Sequence, residues 1–253
     1  MPKKWKTRLI RGVLSHIGPQ LAEGVLIHQK PRVSVLVPAV FDSAAEEHPL
    51  YRSLYGVPVV VRTLLALNEI PVVREIILVV SEADIPRMAE ICEDFSLDRV
   101  RKILRAKAAG VSALTIGTYE CDPAADYIAI CDPLCPFVSA ALLEQSLSAA
   151  IQHGAAAPAV AVKDTIKIVA DGAVSETPDR TALRELQSPI AVESSLLKAA
   201  LMTAGQADMQ TAHVMEILES FQVTLRLTKG SEENIRVFGP ADIPAAEAIL
   251  QWR

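Results

Sequence analysis

The body of the chain alternates short apolar runs with segments of helical periodicity. Because the runs are hydrophobic at nearly every position, they are typical of strands covered on both faces. The runs are VSVLVPA (33–39), EIILVVS (75–81), YIAICD (127–132), APAVAV (157–162) and VTLRL (223–227). The segments that repeat apolar residues every 3.6 positions are 59–70, 85–95, 139–152, 193–205 and 209–221. This alternation predicts an α/β fold with a Rossmann-like, mostly parallel sheet flanked by helices.

The location of a ligand site follows from that fold class. Ligands of open parallel sheets bind beyond the carboxyl ends of the strands, where the strand order reverses. The relevant strand ends lie after Pro38-Ala39, after Val80-Ser81 and after Cys131-Asp132. We therefore expect functional side chains to follow these three dipeptides.

Charge is distributed unevenly between the start of the chain and its body. Residues 1–32 contain seven Lys/Arg and one Glu, a balance of +6, and the remainder contains 18 basic and 29 acidic residues, a balance of −11. An acidic body argues against nucleic-acid binding, which requires a cationic face. No run approaches the roughly 18 unbroken apolar residues of a spanning helix.

The basic start of the chain, residues 1–31, is predicted to form an N-terminal extension, followed by one domain over 32–253. Its first twenty residues place apolar side chains on one helical stripe opposite Lys and Arg. Three interpretations stay open for this amphipathic helix. It packs on its own chain or a dimer mate, docks on another protein, or lies on an anionic membrane surface, which is the least favoured.

The cysteines and histidines indicate neither a disulfide framework nor a zinc site. Cys92, Cys121, Cys131 and Cys135 lack paired metal-ligand spacings and are interpreted as reduced thiols of a cytoplasmic protein. The spacing Cys131-x3-Cys135 keeps a redox pair as a minor alternative. The five histidines include no i,i+4 pair, which argues against a zinc enzyme.

One segment interrupts the alternation of strands and helices. Residues 163–190 predict two short β segments about an Asp171-Gly172 turn, followed by a connection broken at Pro178. A hairpin with few apolar residues cannot cover itself. We therefore expect it to lie against a second subunit or to fold over the site.

The order of motifs along the body resembles a known family. They are VLVPA, G-x-P-V-V, a lone Asp followed by x-x-x-P, A-x-K-D-T-I-K, T-P-D-R, Q-S-P, E-N-I-R-V and P-A-D-I-x-x-A-E. From about Val33 to Leu250 the chain is similar to the 2-C-methyl-D-erythritol 4-phosphate cytidylyltransferases of the non-mevalonate isoprenoid pathway. The resemblance implies a sheet of nucleotide-diphospho-sugar-transferase type and a protruding β-arm, 163–185, that embraces a second subunit.

The same resemblance implies a reaction and a set of site residues. A sugar-alcohol phosphate attacks the α-phosphorus of CTP and releases pyrophosphate, with Mg²⁺ at the strand-end aspartate, Asp132. The substrate-binding positions are Thr165, Arg180 and Ser188. The nucleotide-binding positions are Pro38, Ala39, Ser81 and Ser112. The positions assigned to catalysis are Asp132, Arg236, which replaces the family's late lysine, and Arg52, a cation beside the first loop.

The nucleotide side departs from the family pattern. The family's first loop, A-A-G-x-G-x-R-M, wraps the triphosphate with glycine amides and basic side chains. Here the loop carries Asp42, Glu46 and Glu47, and the place of the following lysine falls on Leu50. A triphosphate has roughly four negative charges, and each lost charge-assisted contact costs about 1.5–3 kcal/mol. We therefore predict a weakened affinity for CTP.

Three functional hypotheses remain open on the sequence. The first is a degenerate homologue that keeps a dimerisation arm and a partial pocket for a phosphate-bearing small molecule, alone or beside an active paralogue. The second is an active cytidylyltransferase with a rebuilt triphosphate loop and Mg²⁺. The third is an interaction protein acting through its basic N-terminal helix.

Overall fold

A computed structural model of the chain describes residues 31–41, 48–211 and 213–253. The predicted N-terminal extension therefore lies outside the described residues apart from Pro31, and so do the acidic residues Asp42, Glu46 and Glu47. Residues Arg32–Arg253 form one compact unit.

The strands and helices of this unit alternate along much of the chain. The strands are β1 (Val33–Ala39), β2 (Ser53–Leu54), β3 (Val57–Pro58), β4 (Val73–Val80), β5 (Val100–Arg105), β6 (Tyr127–Ile130), β7 (Ala155–Ala161), β8 (Ile168–Ala170), β9 (Ala173–Glu176), β10 (Arg184–Leu186), β11 (Ile190–Glu193) and β12 (Arg226–Lys229). The helices are α1 (Val59–Asn68), α2 (Ile85–Asp94), α3 (Val111–Glu120), α4 (Ala140–His153), α5 (Ser194–Gln206), α6 (Val214–Ser220) and α7 (Ile243–Trp252).

The central sheet is mixed but mostly parallel. Its strand order is β10-β7-β11-β6-β1-β4-β5, with β12 also paired to β7. The pairs β1–β4, β1–β6, β4–β5 and β7–β12 are parallel. β11 is antiparallel to both β6 and β7, and β10 is antiparallel to β7. The predicted α/β architecture is confirmed, and the apolar pattern did not indicate three strands of this sheet, β5, β10 and β11.

The two faces of the sheet carry separate hydrophobic layers because side chains alternate along each strand. On β1, Val35 and Val37 belong to the layer that holds α1 and α2, whereas Leu36 belongs to the layer that holds α3 and α5. Gly117 lets α3 approach the second face closely. A Cβ at that position would clash with Leu36 and lie 2.9 Å from Val79 Cγ2.

The helix predicted over 209–221 begins later, at Val214. The segment before it is extended at His213, and the Val111 N–H at the start of α3 donates to the carbonyl of Thr211 at 3.2 Å. The Thr211 hydroxyl also accepts from the His213 N–H at 3.0 Å. The first contact joins the segment to α3 and the second is a local turn, and neither is compatible with a helix that begins before His213. The last predicted strand, 223–227, is likewise displaced to Arg226–Lys229.

The predicted hairpin of the arm is present as β8 and β9, which pair antiparallel. Its turn contains Asp171 at φ 51° and Gly172 at φ 76°, the left-handed conformations that a two-residue hairpin loop requires. Every residue of both strands is exposed. The arm therefore projects away from the two hydrophobic layers.

Candidate functional site: two cavities beyond the ends of the central strands

A polar cavity of about 360 Å³ lies beyond the end of β6, beside β10 and the segment after β12. It is lined by Asp132, Cys135, Val160, Lys163, Glu185, Leu186, Gln187, Ser188, Glu232, Asn234, Ile235 and Arg236. Among the described residues, its charged groups are two cations and three carboxylates. Lys163 and Glu232 form an exposed ion pair, and this hydrogen bond raises the pKa of Lys163.

An apolar cavity of about 660 Å³ lies beyond the ends of β1 and β6. It is lined by Pro38, Val40, Phe41, Ala109, Gly110, Leu114, Ile130, Asp132, Pro133, Leu186, Gln187, Ser188, Ile190, His213, Val214, Met215 and Arg236. Within the described part of the chain, the only Asp, Glu, Lys or Arg in this lining are Asp132 and Arg236. The cavity occupies the strand-end position predicted for a ligand.

The two cavities share a wall that contains Asp132, Leu186, Gln187, Ser188 and Arg236. Asp132 follows β6, whose hydrogen-bond ladder continues through the Cys131 N–H to the Leu36 carbonyl at 2.9 Å. The wall therefore stands at the end of the most buried part of the sheet.

Hydrogen bonds to three segments hold Asp132 in this wall. Its Oδ1 accepts from the Leu134 N–H at 2.8 Å, and its Oδ2 accepts from Arg236 Nε at 2.6 Å. Its own N–H donates to Ser188 Oγ at 2.8 Å. The carboxylate is thus bonded through both oxygens, and one of the two partners is a full positive charge.

Two amide side chains pin the segment that carries Arg236. Gln187 Nε2 donates to the Ser231 carbonyl at 2.7 Å, and the Ser231 N–H donates back to Gln187 Oε1 at 3.0 Å. Asn234, only 3% exposed, donates from Nδ2 to the Ser188 carbonyl at 2.7 Å. Gln187 and Asn234 lie within motifs of the sequence, but the sequence pattern predicts no role for either residue. Their positions inside Q-S-P and E-N-I-R-V were the available signal.

Four of the predicted site residues meet at the cavities. Asp132, Ser188 and Arg236 line both, and Pro38 lines the apolar one. The roles assigned to them stay predictions, because the geometry shows where the side chains lie and not what they bind.

The predicted nucleotide-binding residues Ala39, Ser81 and Ser112 line neither cavity. Ala39 is fully buried in the core, and Ser112 is exposed near the start of α3. The Ser81 hydroxyl donates to Asp84 Oδ2 at 2.7 Å, and Tyr51 donates to Oδ1 of the same carboxylate at 2.6 Å. Ser81 is therefore part of a polar cluster beside the end of β4.

Arg52 and the two arm residues, Thr165 and Arg180, line neither of the two cavities. Arg52, assigned to catalysis, is only 8% exposed and lines neither cavity. Thr165 is exposed on the way to β8. Arg180, also exposed, donates from Nη1 to the Lys163 carbonyl at 2.8 Å and lines a shallow cleft with Arg184. Neither arm residue lines the polar cavity.

The two cysteines beneath the wall are buried thiols. Burial raises the pKa of Cys131 to about 12 and also raises the pKa of Cys135. Both groups are therefore protonated at neutral pH. Since the thiolate is the reactive form, their environment does not favour the minor redox alternative.

The donor set around Asp132 does not match a resident metal ion. Within residues 31–41, 48–211 and 213–253, no three His, Cys, Asp or Glu side chains converge on a point that could hold one. Mg²⁺ prefers an octahedron of oxygens, whereas Asp132 is bonded to a guanidinium and a backbone amide. The Mg²⁺ site predicted at Asp132 stays a prediction that the second functional hypothesis requires.

Comparison with protein families decides the membership of the chain. Residues 22–252 match the family model of 2-C-methyl-D-erythritol 4-phosphate cytidylyltransferase. The chain belongs to this family. It is thus a member of a nucleotidyltransferase family of isoprenoid biosynthesis, as its motifs indicated.

Curated relatives of this cytidylyltransferase-family chain show the same similarity. The 2-C-methyl-D-erythritol 4-phosphate cytidylyltransferase of Syntrophotalea carbinolica is 30% identical over 223 residues, which cover 86% of this chain and 96% of the relative. The bifunctional enzyme IspD/IspF of Desulfotalea psychrophila is 31% identical over 201 residues, 79% of this chain. The match covers 51% of that relative, so the chain spans about half of its length.

Solved structures show the same fold. 4-Diphosphocytidyl-2C-methyl-D-erythritol synthase from Anaerococcus prevotii superposes with a TM-score of 0.76 at 23% identity, over 88% of this chain and 100% of that chain. The cytidylyltransferase from Thermus thermophilus gives 0.72 at 23% identity, over 87% of this chain and 99% of that one. Among the described helices, none is long and apolar enough to cross a membrane.

Proposed function

We propose that this family member transfers cytidylyl groups weakly or not at all and retains a pocket for a phosphate-bearing small molecule. One observation carries the proposal. Of the described Lys and Arg residues, the apolar cavity on the nucleotide side is lined by Arg236 alone, which is paired with Asp132.

The electrostatics of that cavity disfavour a triphosphate. Catalysis of nucleotidyl transfer depends on positioning and on neutralising the phosphates. In the polar cavity two cations face three carboxylates, so even there the described lining has no excess of positive charge. Beside a ligand with roughly four negative charges, missing cations cost about 1.5–3 kcal/mol for each lost contact. Two such losses reduce affinity or rate by about 10³.

The polar cavity supports the retained pocket. Ser188, Gln187 and Asn234 hold its wall through hydrogen bonds, and Arg236 supplies a guanidinium at its edge. A guanidinium binds one phosphate group through two parallel hydrogen bonds. We therefore expect the polar cavity to bind a monophosphate better than the apolar cavity binds a triphosphate.

The experiment is a titration with CTP and Mg²⁺ at low salt beside a pyrophosphate-release assay with 2-C-methyl-D-erythritol 4-phosphate. The Syntrophotalea carbinolica relative serves as the positive control. We expect neither micromolar binding of CTP nor pyrophosphate above background. Turnover within about tenfold of the control would overturn the proposal and favour the active enzyme.

The active enzyme is the second candidate, favoured by one specific observation. Asp132, Ser188 and Arg236, three positions that match family motifs, meet in one wall. The relatives are named as cytidylyltransferases and support the same candidate. Under this hypothesis Asp132 would hold Mg²⁺, which would neutralise charge on the phosphates. The interaction hypothesis concerns the N-terminal helix, outside the described residues.

We also propose a homodimer through the arm. Ile168, Val169 and Val174 of the hairpin are 47%, 59% and 60% exposed, and an isolated two-stranded hairpin is marginally stable in water. A second copy of the chain would cover these side chains, while an active paralogue is the alternative partner. Deletion of residues 166–176 should convert dimers to monomers in sedimentation experiments. Dimers that persist would contradict the proposal.

A further inference from the structure

We propose that Arg236 neutralises Asp132 in place of a divalent cation, so that a phosphate-bearing ligand binds the shared wall without metal. The inference deepens the proposed function, since it rests on the retained phosphate pocket. It concerns how that pocket obtains its positive charge.

The first argument is the occupation of the carboxylate. Arg236 Nε lies 2.6 Å from Asp132 Oδ2, and the Leu134 N–H lies 2.8 Å from Oδ1. An ion at Mg²⁺–oxygen distance, about 2.0–2.1 Å, would stand beside the guanidinium charge. Like charges that close repel strongly. A metal ion would therefore compete with Arg236 for the Asp132 carboxylate.

The second argument is the orientation of the guanidinium. Arg236 carries five N–H donors, and among the described residues its bond to Asp132 uses Nε alone. Its guanidinium carbon lies 4.9 Å from the centre of the Phe238 ring, a cation–π contact that helps to position it. The two Nη groups remain for a bidentate contact with a phosphate on the wall of both cavities.

The third argument concerns strength. The side chains of Arg236 and Asp132 are 46% and 30% exposed, so water screens the pair and its contribution to folding is small. We therefore expect the ion pair to affect ligand binding, because a phosphate and the Asp132 carboxylate compete for the Arg236 guanidinium. This competition gives opposite predictions for a metal site and for an arginine site.

The decisive variant is Asp132→Asn, whose amide oxygen can still accept from the Leu134 N–H. The probe is 2-C-methyl-D-erythritol 4-phosphate, titrated by calorimetry in EDTA and again with millimolar MgCl₂. We expect the wild type to bind equally in both buffers. Asp132→Asn should bind about tenfold more tightly in both, because the competing negative charge is gone.

The complementary variant is Arg236→Met. We expect it to lose at least about tenfold in affinity in EDTA and to regain part of it with Mg²⁺, which can then reach Asp132. Lys102→Met is the matched control, because it removes a cation from another exposed ion pair, with Glu120 at 2.8 Å. It should bind as the wild type does. Melting curves of all variants establish that they are folded.

Several results would overturn the inference. They are wild-type binding that requires Mg²⁺, weaker binding by Asp132→Asn, unchanged binding by Arg236→Met, or no binding by the wild type in either buffer. Water-proton relaxation with Mn²⁺ provides a second readout. If Mn²⁺ binds to Arg236→Met but not to the wild type, the result supports the inference. If Mn²⁺ binds to the wild type and not to Asp132→Asn, the result contradicts it. The pyrophosphate assay separately decides the proposed function.

Discussion

The two cavities on either side of Asp132 and Arg236 are organised by different forces. The polar cavity is built from hydrogen bonds between side chains and backbone, with Gln187 and Asn234 at its centre. The apolar cavity is bounded by hydrophobic side chains such as Leu114 and Val214. The comparison teaches that neighbouring strand ends can carry a wall built from hydrogen bonds next to a cavity whose described lining contains one cation and one carboxylate.

The largest expected effect tests whether charge is what limits the nucleotide side. In a Glu46→Lys/Glu47→Lys double variant, two carboxylates of the first loop become cations. We expect its affinity for CTP with Mg²⁺ to rise by about 10³, since two charge-assisted contacts add about 1.5–3 kcal/mol each. Calorimetric titration at low salt measures the change.

The matched control carries the same change in net charge on α2, as Glu90→Lys/Glu93→Lys, where both positions are exposed. We expect little change in its affinity for CTP. If the control and the loop variant gain equally, the effect is one of net charge, and the contrast between the two cavities is not set by the loop.

The second prediction concerns the packing around Gln187 in the wall of the polar cavity. A Cβ at Gly230 would collide with Gln187 Oε1 and lie 2.8 Å from the backbone of Ala159. Gly230→Ala should therefore lower the free energy of unfolding by about 2–3 kcal/mol, measured by urea denaturation. At Gly205, near the end of α5, nothing lies within 4 Å of such a Cβ. Gly205→Ala should be stabilising by up to about 1 kcal/mol.

A third prediction uses the buried thiol beneath the shared wall. Burial raises the pKa of Cys131 in the folded chain to about 12, from an ordinary thiol value of 9.0. Above pH 9 the unfolded chain loses this proton and the folded chain keeps it, so stability is full below pH 9 and falls between pH 9 and about 12. Its contribution to the fall is up to about 1.4 kcal/mol per pH unit. Denaturation of Cys131→Ala across this range should show a shallower decline, and an equal decline would contradict the assignment.

The smallest expected effect concerns the exposed ion pair of the polar cavity. Lys163 and Glu232 are 69% and 65% exposed, and such pairs contribute little to stability because water and salt screen them. Lys163→Ala should leave the melting temperature unchanged within experimental error in calorimetry. A clear decrease would show that this cavity also depends on ion pairing, which would weaken its contrast with the apolar side.

The elements predicted from sequence are those whose pattern is local and strong. The runs that became β1, β4, β6 and β7 are dense in apolar residues, because these strands lie inside the sheet. β5 was missed because its segment, VRKILR, alternates with charged residues at the sheet edge. β11 (Ile190–Glu193) was missed because it lies between the arm segment predicted to end at 190 and the helix predicted to begin at 193.

Of the candidate site, the sequence predicted the residues whose pattern is local and missed those whose role depends on distant contacts. A charged residue after an apolar strand is visible in a sequence, so Asp132 was assigned correctly to a strand end. Gln187 and Asn234 show no such pattern, since an uncharged amide acquires its role from the backbone groups it meets. Arg52 was placed near the phosphates from its neighbourhood in the chain, whereas the structure buries it outside both cavities.

The sequence by itself determined the fold class, the family and the acidic character of the first loop, because periodicity, motif order and charge are local properties. Only the tertiary structure decided that Asp132 meets Arg236, 104 residues later in the chain. That contact depends on the register of the sheet and on the amide bonds that pin the last loop. An ion pair is decided by distances of a few ångströms, which no local pattern encodes.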